Sequence, residues 1–413
     1  MLGRYWFQGT EIDSIDLKSL IVSRGVNVED EVYRQFQIKF RINPNPVTCN
    51  CLILPDQTIA QLTDVPKHLK YLGETLFLGS PNQTMTSVER WKPLDLNVTE
   101  SASAVLSFDG KEITTVGFPK RSDFYEQKTS SGLPFIGNAS LQGADTVSFQ
   151  SLWPCEIARE GNACQFCLSG GITEQLARFG NPEPKMPTAR DVAEIVDFAV
   201  NGEMAADCIQ LDGGYTKNSQ TECHRMVEFL NEIDSSVGLD KIRDTLVFTS
   251  PPTDPEMLDQ VFDAGADHVV FSPGVWDEKL ASIITPGQIK HLPRKRYMDA
   301  LKYVAMEYGP NRACSVFIIG VEPVESFLSG AEALAKDGIV AMASLWIPFG
   351  RAVMASEKPP NVDYYRKVKV GLAEIYDKYG IVPPSASFNT HIDYDIWHHK
   401  YELLPLTASI DRN

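Results

Sequence analysis

From about residue 145 the chain switches six times between a short apolar run and a longer amphipathic one, and no other feature limits the fold as much. The short runs are Thr146 to Leu152, Cys208 to Leu211, Leu246 to Thr249, His268 to Ser272, Cys314 to Gly320 and Val340 to Ile347. Helical stretches follow them. Arg190 to Asn201 has Val192, Ile195, Val196 and Ala199 on one face and Thr188 as its cap. Gln220 to Ile233 is next, and Asp254-Pro255 opens a helix that Gly265 closes. Arg296 to Tyr308, Val324 to Lys336 and Asp363 to Tyr379 complete the series. Such alternation implies parallel strands joined by right-handed crossovers. Six units fall short of the eight of a closed barrel. The expected fold class is therefore α/β, a partial (β/α)6 barrel whose ligands lie at the carboxyl ends of its strands.

The remaining length demands more than this barrel. The 413 residues suit one large α/β unit plus an extra module. Residues 1–140 look like a β-rich N-terminal module. Phe36, Ile38, Phe40 and Ile42 alternate with polar residues, as in a half-buried strand, until Asn43-Pro44-Asn45-Pro46 breaks it. Thr48 to Leu54 suggests another strand. Ala104 to Phe108 and Glu112 to Val116 suggest a hairpin, with Asp109-Gly110 supplying the positive φ angles of its turn. The barrel is assigned to 141–385. A C-terminal segment, 386–413, is rich in aromatics and Asp and is expected to cover the barrel mouth.

Charge and cysteine usage narrow the function. A net charge of −16 repels phosphate backbones and anionic lipid, so neither nucleic acid nor membrane is an expected partner. No run of 18 apolar residues occurs, and the start lacks an apolar signal core, so a cytoplasmic location is expected. The Asn82, Asn97 and Asn138 sequons are then chance matches. Eight cysteines in so long a chain do not make a disulfide scaffold. Three of them, Cys155, Cys164 and Cys167, sit just after the first barrel strand. Thiolates suit iron–sulfur clusters and zinc. Structural zinc wants four closed ligands, whereas this loop offers three and no fourth Cys or His nearby. Three thiolates on a four-iron cluster leave one iron open. Zinc or buried free thiols are the alternatives. Cys49 and Cys51 are too few for a second cluster, and Cys208, Cys223 and Cys314 fall at buried positions of strands or helices.

This Cys-x8-Cys-x2-Cys loop, with Phe166 before its third cysteine, resembles the cluster loop of the radical S-adenosylmethionine (SAM) superfamily. So do Gly213-Gly214 after the second strand and the run Ile318-Ile319-Gly320-Val321-Glu322 after the fifth. The stretch from Ser272 through Ile283-Ile284-Thr285 to Glu322 is similar to the biotin synthase and hydrogenase-cofactor-maturase branch. The resemblance covers residues 145–380. It departs in one respect: most members space the first two cysteines by three residues, not eight. The resemblance implies a 4Fe–4S cluster whose open iron chelates SAM. An electron then splits the sulfonium, and the 5′-deoxyadenosyl radical abstracts hydrogen from a small organic substrate. It implies cofactor contacts from Gly213, Gly214, Ser272, Glu278, Arg296, Ile319, Gly320 and Glu322, with Asp277 beside Glu278. Arg296 would pair with the SAM carboxylate, unless Arg294, Lys295 and Arg296 form a solvated cationic cluster. Where the family often has an acid after the glycines, this chain has Tyr215.

Substrate candidates are Asp212, Tyr215, Arg351 and His391, all placed by the pattern near strand ends or the covering segment. His398-His399 side chains diverge on regular structure, which argues against a joint metal site. Partners would be a small-molecule substrate and an electron donor such as flavodoxin or ferredoxin. The competing function is a non-radical iron–sulfur or zinc assembly or maturation protein. The absence of an Asp-x-His-x-x-Gly run disfavours a cobalamin methyltransferase.

Overall fold

A computed structural model describes residues 1–38, 51–65, 91–119, 123–150, 152–167, 186–202, 206–349, 352–386 and 388–406. The chain begins with a hairpin, β1 (Arg4–Phe7) and β2 (Thr10–Asp13), and then α1 (Ser14–Arg24). Next come β3 (Val26–Val28), α2 (Asp30–Gln35), a second hairpin of β4 (Cys51–Ile53) and β5 (Ile59–Gln61), and β6 (Leu94–Val98), β7 (Ala104–Phe108) and β8 (Lys111–Val116). A four-stranded sheet in the order β3-β6-β7-β8 is antiparallel except for its β3–β6 pair. The β7–β8 turn has positive φ at both Asp109 and Gly110, as the Asp-Gly pair predicts.

Two features of this half differ from the sequence expectation. Phe36 does not begin a strand. It caps α2, and Gln37 turns the chain at φ 51°, so the alternation from residue 36 is not extended backbone in the described part. Its continuation through residues 39–50, with Cys49, lies outside the described residues. The pattern also hid α1, whose residues are all buried, charged ones included. Asp13 and Asp16 form its capping box, and Lys369 bonds both carboxylates at 2.5 Å with about 1% exposure. A helix buried on every side shows no amphipathic stripe.

The larger sheet has seven strands in the order β15-β14-β13-β12-β11-β10-β9. They are β9 (Ser140–Gln142), β10 (Thr146–Phe149), β11 (Cys208–Leu211), β12 (Asp244–Phe248), β13 (His268–Gly274), β14 (Ala313–Ile319) and β15 (Val340–Leu345). β10 to β15 are parallel, and β9 joins antiparallel at the edge. The curled sheet is a half-barrel, as the six-unit pattern predicts. Helices packed on it are α3 (Glu156–Arg159), α4 (Ala189–Asn201), α5 (Ser219–Ser236), α6 (Met257–Asp263), α7 (Glu278–Ile284), α8 (Pro286–His291), α9 (Arg294–Glu307), α10 (Val324–Ala335) and α11 (Val362–Tyr379), with α12 (Asp393–His398) at the end. Register fixes which side chains enter the hollow. Phe271 meets Tyr297 of α9 and Phe317 meets Phe327 of α10, so both face the helices. Their strand neighbours Val270, Val316 and Ile318 face the hollow. Across the paired strands the hollow face continues through Gln210, Ser148 and Gln142, which share hydrogen bonds of 2.7 to 3.1 Å.

A half-barrel leaves two open edges. Residues 388–392 run antiparallel beside β15, with Leu345 N–H donating to Thr390 O (2.8 Å) and Ile392 N–H to Ala343 O (3.0 Å). The buried Asn389 in this segment bonds Gln61 of β5 (2.9 Å) and accepts from Gly143 N–H (2.7 Å) beyond β9. One asparagine thus spans the gap between the edges.

Candidate active site at the carboxyl ends of the strands

The cysteine loop leaves β10 at the carboxyl end of the sheet, and its two halves are held by different elements. The first half runs against the chain that leaves β11. Leu152 N–H donates to Asp212 O (3.0 Å), Gly214 N–H to Trp153 O (2.8 Å) and Glu156 N–H to Tyr215 O (2.8 Å). The Trp153 indole N–H donates to Gly214 O. The glycine pair makes this approach possible. A Cβ on Gly213 would lie 2.3 Å from the Trp153 ring, and one on Gly214 would lie 2.2 Å from Cys155 N. What the pair lets the β11 chain approach is the cysteine loop itself. Lys217 closes the side of the loop by donating to Glu156 and Glu160.

The second half docks on α7 and α8. Gln165 N–H donates to Ile284 O and its side-chain amide to Ile283 O, both at 2.8 Å. Met354 N–H donates to Gln165 O (2.9 Å). Phe166 fills the space over Gly274, where a Cβ would sit 2.6 Å from its ring. It packs beside Val275, Ile284 and Val321, tying the loop to the ends of β13 and β14. Gly287 of α8 lies so close to Ile157 and Asn162 that a Cβ would clash at 2.1 and 2.5 Å.

All three cysteines are reduced and half-buried. Burial pushes the Cys155 thiol up, and charge on Cys167 adds to the shift. Burial pushes Cys164 up much further, with Cys167 and Cys155 adding and the Gln288 side chain opposing. Two neighbouring thiols that both resist ionisation mark a place where a cation is stabilising. Among the described residues these sulfurs do not form a group lying within 4.8 Å of one another. One zinc at about 2.3 Å from each sulfur draws its ligands to roughly 4 Å apart. A cluster, whose thiolates bind separate irons, accepts wider spacing, so the donor set fits a cluster better than zinc.

Arg296, in the first turn of α9, reaches the chain that leaves β11. Its Nη2 donates to Ser219 Oγ (2.9 Å), while its buried Nε has no partner among the described residues. It is close enough to Tyr215 for its charge to act on that phenol. An orphaned guanidinium N–H suits a carboxylate. Arg294 and Lys295 take other roles: Arg294 lies over Trp276 and pairs with Glu278 (3.2 Å), and Lys295 pairs with Asp299 (2.6 Å). The cationic run is therefore not one solvated cluster.

The other sequence candidates are spread unevenly. Ile319 is fully buried, and Gly320 at φ 108° donates its N–H to Tyr364 Oη (3.0 Å), with Tyr365 and Trp346 close by. Glu322 is buried and already occupied: Trp276 N–H (2.9 Å), Asp277 N–H (3.0 Å) and Ser326 Oγ (2.7 Å) all donate to it. It shapes the loop after β13. Asp277 caps α7 through Leu280 N–H, while Ser272 and the Glu278 side chain are exposed. Asp212 continues the hollow-facing positions of β11. Though the residue as a whole is only half-buried, crowding by protein pushes its carboxyl well above the usual range, against a hydrogen bond from Gly213 N–H. Tyr215 stacks loosely on His291 at 6.0 Å. His391 is at the sheet edge beside Ser344 and 3.4 Å from Asp393. Arg351 and Gly350 lie outside the described residues. His398 stacks on Tyr394, and its ring stands at 89° to that of His399. Cys51, Cys208, Cys223 and Cys314 are buried.

Sequence reasoning missed Glu222. Buried in α5, it accepts from Thr216 N–H (2.5 Å), Ser250 N–H (2.7 Å), Ser250 Oγ (3.2 Å) and Thr249 Oγ1 (3.1 Å), fixing the β11 and β12 loops together. Its place one turn after the Asn218 cap gave no hint of this, because the partners are backbone groups of distant loops. Gln165 and Gln288 were missed for the same reason.

No family model matches the chain. Over 313 residues, 73% of this chain and 77% of the relative, it is 23% identical to the bacteriochlorophyllide c C-7(1)-hydroxylase of Chlorobaculum limnaeum. Among solved structures it is similar to HydG, a maturase of the FeFe-hydrogenase (TM-score 0.42, 15% identity, 57% of this chain), and spans half of that chain's length. It is also similar to a radical SAM methyltransferase from Sphaerobacter thermophilus (TM-score 0.39, 17% identity, 71% of this chain and 76% of that one). Among the described residues no helix is long and apolar enough to cross a membrane. The three-cysteine loop thus stands at the carboxyl end of this half-barrel, in a chain similar over most of its length to that hydroxylase.

Proposed function

We propose that Cys155, Cys164 and Cys167 hold the cluster, that Arg296 takes the carboxylate of SAM, and that the substrate enters the hollow between Asp212 and Tyr215. Bound there, the reduced cluster and SAM supply a 5′-deoxyadenosyl radical that takes a hydrogen atom from a small organic substrate. The observation that carries the reading is the buried Nε of Arg296, unpartnered among the described residues and close to the Tyr215 phenol that follows the glycine pair. Gly213 and Gly214 serve indirectly, by letting the β11 loop lock the first half of the cysteine loop. Glu222 and Glu322 keep the loops after β11, β12 and β13 in place and exchange no proton with the cofactor, their oxygens being already occupied. The main chain at Ile319 and Gly320 offers a floor at the end of β14 that suits an adenine ring, the Ile319 side chain being buried on the helix side with Phe317. Asp212, whose carboxyl burial pushes well above the usual range, lines the hollow as a polar group for the substrate.

The apolar wall of Phe248, Val270, Val316 and Met342 faces the polar wall of Gln142, Ser148 and Gln210. A mainly apolar substrate with a polar edge matches this lining. The relative named for bacteriochlorophyllide c makes a tetrapyrrole the first substrate class to test. The experiment is anaerobic reconstitution, reduction with dithionite and addition of SAM. Methionine and 5′-deoxyadenosine should appear in equal amounts, and faster with the true substrate. A protein that binds iron and SAM but yields neither product with any candidate is instead an assembly or maturation protein.

A further inference from the structure

The strap of residues 388–392 along β15 brings an imidazole to the hollow. His391 is the bridge partner of Ser344, between the bonds from Leu345 N–H to Thr390 O and from Ile392 N–H to Ala343 O. Facing residues of an antiparallel pair share one face of the sheet. Ser344 is paired with Ile318, which stands on the hollow side because its neighbour Phe317 packs on Phe327 of α10. His391 therefore stands on the hollow side too, near the carboxyl end of β15. The backbone before it is fixed. Two residues earlier the buried Asn389 exchanges hydrogen bonds with Gln61 (2.9 and 3.0 Å) and accepts from Gly143 N–H (2.7 Å).

The ring of His391 is not spent on structure. Its buried Nδ1 makes no hydrogen bond among the described residues and lies 3.4 Å from Asp393 Oδ1, which Ala343 N–H holds in place (3.0 Å). A small rotation of the ring turns that approach into an Nδ1–H···O bond. The bond selects the tautomer that leaves the Nε2 lone pair free, the arrangement in which a carboxylate backs a metal-ligating histidine. Among the described residues no third His, Cys, Asp or Glu joins His391 and Asp393 to make a metal cage. A bare ion is therefore short of ligands here, and a metal that binds must bring its own. The strap closes the hollow between β15 and β9, so by strand order it faces the apolar residues Phe248 and Val270 in the middle of the sheet. A flat apolar macrocycle that carries four nitrogen ligands around a metal fits between them.

We infer that His391 is the axial ligand, through Nε2, of a metal carried by a tetrapyrrole substrate. The inference rests on the reading of the hollow as a tetrapyrrole site. The Nε2–metal bond replaces one to solvent, and nothing is oxidised or reduced. Ligation selects a metal-bearing ring over a metal-free one and fixes the ring's depth beneath the carboxyl end of the sheet.

The test is an anaerobic titration of the reconstituted enzyme with zinc protoporphyrin and with metal-free protoporphyrin, read by fluorescence and by the Soret band. The zinc form should bind roughly tenfold or more tighter, and its Soret band should move to the red as nitrogen takes the axial place. His391→Gln should bind the two forms alike and leave the band unshifted. His391→Gly should regain the shift when imidazole is added, which a merely distorted strap would not allow. Equal affinity of the wild type for both forms overturns the inference, as does a zinc preference kept by His391→Gln or a shift that imidazole does not restore. Binding of neither form overturns it together with the tetrapyrrole reading of the hollow. Release of 5′-deoxyadenosine by the same preparations without porphyrin reports on the radical chemistry apart from both.

Discussion

The two ends of the half-barrel treat their charged groups in opposite ways. At the amino end Arg243 lies between Asp145 (2.8 Å) and Asp207 (2.9 Å), and Asp244 accepts from His268 (3.0 Å) and Ser385 N–H (2.8 Å). At the carboxyl end, among the described residues, Arg296 keeps a buried Nε unpartnered and the Trp346 indole N–H has no acceptor, and Asp212 is held in a setting that disfavours its charge. A folded chain satisfies its buried polar groups unless something else is meant to do so. Glu222 and Glu322 at the carboxyl end are as fully bonded as the amino-end network, so it is Arg296, Trp346 and Asp212 that mark the place left for ligands. Asp145, Asp207 and Cys208 illustrate the point: their ligand atoms lie within 4.8 Å of one another, but Arg243 already neutralises the two carboxylates, so the group is a structural ion pair.

The comparison breaks most decisively at the cysteines. Alanine at Cys155, Cys164 or Cys167 should leave the reconstituted protein without its four-iron absorbance, each change removing one of three thiolates. Cys51→Ala and Cys208→Ala should retain full iron. Iron lost with Cys208 instead would move the metal centre to the amino end.

The next effect in size concerns the glycines. Gly214→Val puts a side chain into the Cys155 backbone, and nothing on that side can yield cheaply, since the obstruction is main chain. Iron content and SAM binding should fall together. Retention of full iron with weakened SAM binding would show that the glycine contacts the cofactor directly rather than the loop.

A pair of arginine variants sharpens the contrast further. Arg296→Gln should weaken SAM binding roughly tenfold or more, the loss of a charge-assisted hydrogen bond, while iron content and unfolding midpoint hold steady. Arg243→Gln should do the reverse. It should cost about 1–2 kcal/mol in stability, reduced by the partial exposure of the network, with SAM affinity unchanged. Titration calorimetry and denaturant unfolding on the same preparations separate the two outcomes. An Arg243 variant with impaired SAM binding would remove the division between the ends.

Much of this arrangement was legible in the sequence. The alternation of runs fixed six parallel strands, because a crossover helix needs both its amphipathic stripe and its neighbouring strands to form a core. The three cysteines were visible because their chemistry is rare and their spacing local. What escaped depends on contacts between distant segments. The α1 helix is buried all round, so its pattern lacked a period, and its Asp13 and Asp16 needed Lys369 from the far end of the chain. Glu222 looks like an ordinary helix acid until the groups that bond it are placed, and Glu322, singled out by the resemblance, shows its loop-holding bonds only in three dimensions. Gly213-Gly214 was noticed for its flexibility, but what it approaches, the cysteine loop, became visible only in three dimensions.

The smallest expected effect is also the closest comparison, between one aspartate at each end. At Asp244 burial raises the carboxyl pKa, but hydrogen bonds from His268 and Ser385 outweigh it, and the net shift is downward. Its folded value lies below the unfolded one near ~4, so the unfolded chain binds the extra proton in acid. The stabilisation is complete above that unfolded value and disappears as pH falls through the lower folded value. At Asp212 burial wins, and the shift is upward. The folded chain then holds the proton to higher pH, and ionisation opposes folding as pH rises above the unfolded value. Asparagine keeps the shape of both side chains and removes both titrations. Asp244→Asn should therefore lower stability at pH 7 by roughly 1 kcal/mol and approach neutrality near pH 3. Asp212→Asn should leave stability unchanged at pH 3 and raise it at pH 7. Anaerobic denaturant unfolding of the iron-loaded protein at both pH values gives the two signs directly. A destabilising Asp212→Asn at pH 7 would mean that its carboxylate is ionised and paired, and that the carboxyl end satisfies its charges as fully as the amino end does.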